Sequence, residues 1–111
     1  MTAEQILNIC NTVMNCDITE RVRTNQACYR RNIYYALCKF INDKLSLNEI
    51  GNVCGGRDHA TVLNGLKVFY DVVVENEYYW NLYKKCLECA EKLEENDNGR
   101  DVMDSILKDH I

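Results

Sequence analysis

The sequence predicts an all-α fold: a compact helical domain containing a helix-turn-helix, followed by a C-terminal helical extension. Three observations carry this expectation. None of the 111 residues is proline, so no residue is forced to break a helix. Apolar residues recur at helical i, i+3, i+4 spacing through most of the chain. Glycine is sparse, five in all, with two adjacent at Gly55-Gly56 where a turn is needed. Hydrophobic residues at 47% and charged residues at 27% exclude long-range disorder, and the length suits one core.

Taken in order, Ile6, Ile9, Cys10, Val13 and Met14 form the buried stripe of a first helix. Ile18 to Arg23 reads as a short second helix after Asp17. A longer helix, starting near Arg30, carries Ile33, Ala36, Leu37, Phe40 and Ile41. Ser46-Leu-Asn-Glu49 is a capping box, in which serine caps a backbone N–H and glutamate reaches back. It opens a short helix with Leu47, Ile50 and Val53. Gly55-Gly56 breaks the chain, and Asp58 is the N-cap of the next helix. That helix is expected to bury Val62, Leu63, Leu66, Phe69, Tyr70 and Val73. Tyr79, Leu82, Tyr83, Cys86, Cys89 and Leu93 mark another stripe. Asn98-Gly99 reads as a turn and Asp101 to His110 as a last short helix. The organisation expected is a helix-turn-helix region over residues 1–76 and an acidic helical extension over 77–111, packed on or beside it.

The net charge of −4 hides an asymmetry. Asp17 to Lys67 carries eight Lys/Arg against five Asp/Glu, whereas Val68 to Ile111 carries five against eleven. A basic working face followed by an acidic extension is the pattern this suggests. Seven cysteines make an odd number, and most fall on or beside apolar helical positions, where a free thiol packs as a small hydrophobe. Reduced thiols are therefore expected. No secretory signal and no membrane-length apolar run is visible, so the expectation is a cytoplasmic protein without a membrane partner. His59 and His110 form no zinc spacing with the cysteines, and no metal or cofactor is called for.

An enzymatic reading finds little support. Gly51-Asn-Val-Cys-Gly-Gly56 has P-loop-like glycine spacing, but Arg57-Asp58 follow where a lysine and a magnesium-binding hydroxyl are required. Cys54 reads as core rather than as a nucleophile paired with His59. The expectation is a protein that is not an enzyme.

Two short helices joined by a glycine turn make a helix-turn-helix, whose second helix offers its first turn to a DNA groove. Arg57, Asp58, His59, Thr61, Asn64 and Lys67 are the exposed residues expected there. Arginine can pair with guanine, aspartate can accept from cytosine, and Ala60 can touch a thymine methyl.

The stretch Leu47-Asn-Glu-Ile-Gly-Asn-Val-Cys-Gly-Gly-Arg-Asp-His-Ala-Thr-Val-Leu63, with Arg31-Asn-Ile-Tyr-Tyr-Ala-Leu-Cys-Lys39 upstream, resembles the C-terminal box-binding domain of the bacterial replication initiator DnaA. The likeness covers roughly residues 4 to 75. It implies sequence-specific binding of double-stranded DNA, in replication initiation or its regulation. By resemblance, Arg57, Asp58, His59 and Ala60 face base edges, and Arg23 enters the minor groove. Arg21, Arg31, Asn32, Lys39, Ser46, Leu47, Asn48 and Thr61 correspond to phosphate-contacting positions. Ala60 stands where the family usually has threonine, and the loop around Asn25, Tyr29 and Arg30 is less basic than usual. One extra residue lies between Lys39 and Ser46.

Leu82, Cys86, Cys89 and Leu93 follow the a/d spacing of a helix seam, too short for an independent coiled coil. Packing on the chain's own core is the first expectation for residues 77–111. Self-association, or an aromatic anchor of Tyr78, Tyr79, Trp80 and Tyr83 for a protein partner, is the alternative. The rival function is a protein-interaction module: a decoy or adaptor of replication or transcription machinery with weak DNA binding. The acidic residues of the extension are expected to temper DNA binding.

Overall fold

Each of the first four helices starts at a side chain that satisfies one of its free N–H groups. In the computed structural model, which describes residues 1–98 with side chains through Glu94, α1 spans Ala3–Met14. Its N-cap Thr2 accepts from the Gln5 N–H, and the Gln5 side chain accepts in return. The next helix, α2 (Asn25–Ile41), is capped by Thr24. The expected capping box of Ser46 and Glu49 opens α3 (Leu47–Val53). Asp58 caps α4 (His59–Asp71). A 3-10 turn over Val73–Glu75 leads into α5 (Glu77–Asn98). Among the described residues all regular structure is helical, as expected.

The central element is α2, in which every residue from Arg31 to Cys38 is buried. It packs most extensively on α4 and also meets α1, α3 and α5. Ile6, Cys10, Ile18, Leu37, Ile50, Val62, Phe69 and Cys86 belong to one continuous core. The α1 and α5 helices lie against each other, α3 pairs with α4, and α1 also meets α3. All seven cysteines are free thiols. Burial pushes the Cys38 thiol up to about 12.

The structure corrects three local expectations. Ile18 to Arg23 is not a helix: the Asp17 carboxylate accepts from both the Thr19 N–H (3.0 Å) and its hydroxyl (2.6 Å), folding a turn instead. The long helix begins at Asn25, one turn earlier than expected, because Thr24 caps it. Phe40, Leu63 and Tyr70 are 66%, 44% and 62% exposed. On α4 the buried face runs through Val62, Gly65 and Phe69 toward α2. Leu63 and Tyr70 each follow a buried residue by one position and so are rotated about 100° away from that face. The expected helix over Asp101 to His110, and Gly99 of the expected turn, lie outside the described residues.

Candidate nucleic-acid interface

The turn between α3 and α4 is built by Gly55 and Gly56, both in the left-handed region at φ 72° and 73°, which glycine enters without steric cost. Two backbone bonds close it, Arg57 N–H to the Gly51 carbonyl (2.8 Å) and Gly56 N–H to the Asn52 carbonyl (3.1 Å). The chain then enters α4 through Asp58. One carboxylate oxygen of Asp58 accepts from the Thr61 N–H at 2.8 Å. That bond holds the carboxyl below the usual carboxylate range. His59, Ala60 and Thr61 are exposed along the first turn of α4.

Arginines tie the loop between α1 and α2 to this turn. Arg57 donates from Nη1 to the carbonyls of Cys54 (2.6 Å) and Thr19 (3.3 Å), and from Nη2 to that of Glu20 (3.1 Å). Arg31, only 7% exposed, donates to the carbonyls of Glu20 (3.3 Å) and Val22 (2.8 Å). Arg21 reaches across to the Gly55 carbonyl at 2.8 Å. Each guanidinium presents a rigid fork of donors, which suits it to gathering carbonyls that helices and turns leave unpaired.

The residues singled out in the sequence therefore fall into three settings. Arg23, Asp58, His59, Ala60, Thr61, Ser46 and Asn48 are exposed, and Leu47 is half-buried at the start of α3. Arg21 is exposed but engaged with the turn. Arg57, Arg31, Asn32 and Lys39 are turned inward. Lys39 donates to the carbonyls of Asp43 and Leu45, both at 2.9 Å, holding the connection from α2 to α3. Asn32 is buried where α2 crosses α4. A base reached by Arg57 has to compete with three backbone carbonyls already in place.

Between the loop, α2 and α4 lies a cleft of about 850 Å³. Arg21, Arg23, Arg31 and Arg57 line it, with Thr61 and Asn64 on the α4 side. No aspartate or glutamate lines it among the described residues. Tyr35 and Gly65 also line it, and sequence reasoning passed over both. The signal available was a pair of polar-tipped aromatics, Tyr34 and Tyr35, inside the otherwise apolar run Ile33 to Cys38.

The profile of the bacterial dnaA protein helix-turn-helix matches residues 4–68, from the first turn of α1 into α4. The chain belongs to the DnaA helix-turn-helix family. A relative is the chromosomal replication initiator protein DnaA of Treponema denticola, 32% identical over 82 residues. That alignment covers 74% of this chain but 17% of the initiator. No solved structure gives a significant match. In this DnaA-type unit the helix-turn-helix comprises α3, the glycine turn and α4, and α5 lies beyond the matched span. Among the described residues no helix is long and apolar enough to cross a membrane.

Proposed function

We propose that the chain binds double-stranded DNA sequence-selectively, in the manner of DnaA-box recognition, and serves replication initiation or its regulation. The supporting observation is an acid-free cleft with four arginines, placed directly beside the exposed first turn of α4. Positive charge focused in a concave surface attracts the phosphate backbone. The first turn supplies the base-reading groups: Asp58 with its remaining carboxylate oxygen, His59, and the Ala60 methyl. Arg23 is the residue proposed to enter the minor groove, a reading supported by its exposure and by its side chain making no hydrogen bond among the described residues. Thr61, Arg21 and the start of α3 at Ser46, Leu47 and Asn48 meet phosphates.

Arg57 takes a different part from the one its position in the motif suggests. Its bonds to Thr19, Glu20 and Cys54 fix the loop that carries Arg23 relative to α4, so it acts as a positioning residue. Arg31 and Lys39 do the same for the loop and for the start of α3. No catalytic step, metal or cofactor enters this function.

Salt-titrated binding to box-containing and scrambled duplexes tests the reading. Box DNA should bind about 10³-fold or more tightly than scrambled DNA, and both affinities should fall as salt rises. Equal affinity for the two duplexes at every salt concentration would refute it.

A second reading, a protein-interaction module, draws on α5. Tyr78 is 63% and Trp80 36% exposed, although Trp80 stacks on Tyr83 at 5.4 Å. Under that reading residues 77–111 dock a protein partner or a second copy, and duplex binding is weak and unselective.

A further inference from the structure

The Tyr35 hydroxyl is the one fully buried side-chain oxygen or nitrogen among the described residues that has no hydrogen-bond partner. Its neighbour Tyr34 shows the ordinary solution, donating to the Ile50 carbonyl at 2.8 Å. Leaving a buried hydroxyl unpaired is costly, so native structures rarely do so without a reason. The ring is also fixed in place. A Cβ on residue 65 would come within 2.6 Å of Tyr35 Cδ2, so Gly65 leaves just the space that the ring fills.

The surroundings indicate what the missing partner is. Tyr35 lies in the wall of the arginine-lined cleft with Arg31 and Arg57, whose positive charges offset a small part of the rise that burial imposes on its ionisation. No carboxylate lines the cleft among the described residues. A guanidinium carries five donors, and the carbonyl bonds of Arg31 and Arg57 use only part of each set. Two guanidinium groups with spare donors and a hydroxyl with a free proton form a setting for an anionic oxygen acceptor. A cation would be repelled there by the guanidinium charges.

We propose that the Tyr35 hydroxyl donates to a phosphodiester oxygen of bound DNA, giving the chain a phosphate seat in the cleft between Arg31 and Arg57. The hydroxyl is closed to water in the free chain, so the seat is completed only as DNA docks. This inference rests on the DNA-binding reading above. It adds a neutral donor within a cleft whose charged donors are guanidinium groups.

That neutrality gives the test its signature. Tyr35→Phe keeps the ring and its packing on Gly65 and removes only the hydroxyl. Relative to the unchanged protein, it should bind box and scrambled duplexes about tenfold more weakly, because hydrogen bonds to charged acceptors are the strong ones. The ratio between the two duplexes should stay the same, since phosphate contacts carry no sequence information. The salt slope should also stay the same, because a neutral side chain displaces no counterion. Its melting temperature should be equal or higher, because an unpaired buried group has been removed.

A walk of single methylphosphonate substitutions along the box duplex locates the partner. At one position the difference between the unchanged protein and Tyr35→Phe should disappear. Unaltered duplex affinity in a folded Tyr35→Phe protein would overturn the proposal. So would a loss that persists with every methylphosphonate duplex, or a lowered melting temperature with binding intact, which marks a structural water instead. A chain that binds no duplex even with Tyr35 present would refute the DNA-binding reading itself.

Discussion

The loop between α1 and α2 and the seam between α1 and α5 are held by opposite means. At the loop, Arg21, Arg31 and Arg57 donate to the carbonyls of Thr19, Glu20, Val22, Cys54 and Gly55. Where α1 meets α5, burial is apolar: α1 buries Ala3, Ile6, Ile9 and Cys10, and α5 buries Cys86 and Ala90, while its Tyr79 and Tyr83 pack on Tyr29 of α2 and Phe69 of α4. Directional bonds set an orientation, and apolar burial sets stability with little regard to angle. The loop carries Arg23 and borders the cleft, so the region that must present groups at defined angles has the directional bonds. The exposed charges of α5 form only one ion pair among the described residues, Lys92 with Glu88 at 3.2 Å. Such an exposed pair adds little.

The largest effect expected from separating the two is at the seam. Ile6→Ala, at a fully buried position, should cost about 2–5 kcal/mol of stability. Denaturant unfolding measures it. The molecules that remain folded should keep the box-to-scrambled ratio unchanged. A shift in that ratio would show that the seam, too, sets the geometry of the DNA face.

Next comes Arg57→Ala, which leaves the Thr19 and Cys54 carbonyls without their side-chain donor and that of Glu20 with Arg31 alone, and should cost about 1–3 kcal/mol. Its duplex affinity should fall by at least about tenfold, with selectivity reduced because α4 and Arg23 are no longer held in register. Arg57→Lys should restore only part of this, since an ammonium is a point charge and not a fork. Full rescue by lysine in both melting and binding assays would show that charge, not carbonyl gathering, is its role.

How the residues were legible in the sequence follows the same division. The capping box at Ser46 and Glu49, the Gly55-Gly56 turn and the Asp58 cap are set within a few residues of each other, and each was readable. The loop was misread as a helix because its shape depends on the Asp17 turn and on the distant Arg31 and Arg57. Arg57 finds Thr19 and Glu20 at sequence separations of 38 and 37, beyond the reach of any local pattern. Leu63 and Tyr70 fit a helical stripe, but which stripe is buried depends on where α2 crosses α4, at Gly65. Tyr35 was hidden by its run of apolar neighbours.

A smaller effect concerns acid. The Asp58 carboxyl is held below its ordinary value by the Thr61 N–H. Its contribution to stability is therefore present above the unfolded value near ~3.9 and is lost as pH falls through the lowered folded value. Asp58→Asn still caps the helix but cannot titrate. Its melting temperature should fall less between neutral and strongly acid pH than that of the unchanged protein, as thermal unfolding across a pH series would show. Parallel curves would remove the cap from the acid response. The Asp17 turn at Thr19 shifts its carboxyl in the same direction and stays common to both proteins.

The smallest effect is expected from the acidic face of α5. Glu91 is exposed, and α5 contributes no residue to the cleft. Cys89 and Leu93 lie instead beside Met1, Gln5 and Ile9 of the α1 region. The tempering of DNA binding expected from the acidic extension should therefore be slight, below about twofold at physiological salt, where charges are screened beyond about 8 Å. Fluorescence titration of Glu91→Gln/Glu94→Gln/Glu95→Gln measures it. A marked gain in affinity at low salt would place the extension within the field of the DNA.

Backbone amide shifts of the folded chain, recorded as box duplex is added, compare the two regions in one experiment. The largest changes should fall at Arg21 to Asn25, at Tyr35, and from Gly56 to Asn64, with Glu88 to Glu94 of α5 nearly unmoved. Changes centred on Tyr78 to Tyr83 and absent from the first turn of α4 would contradict the assignment of the DNA face to the arginine-tied loop and the helix-turn-helix.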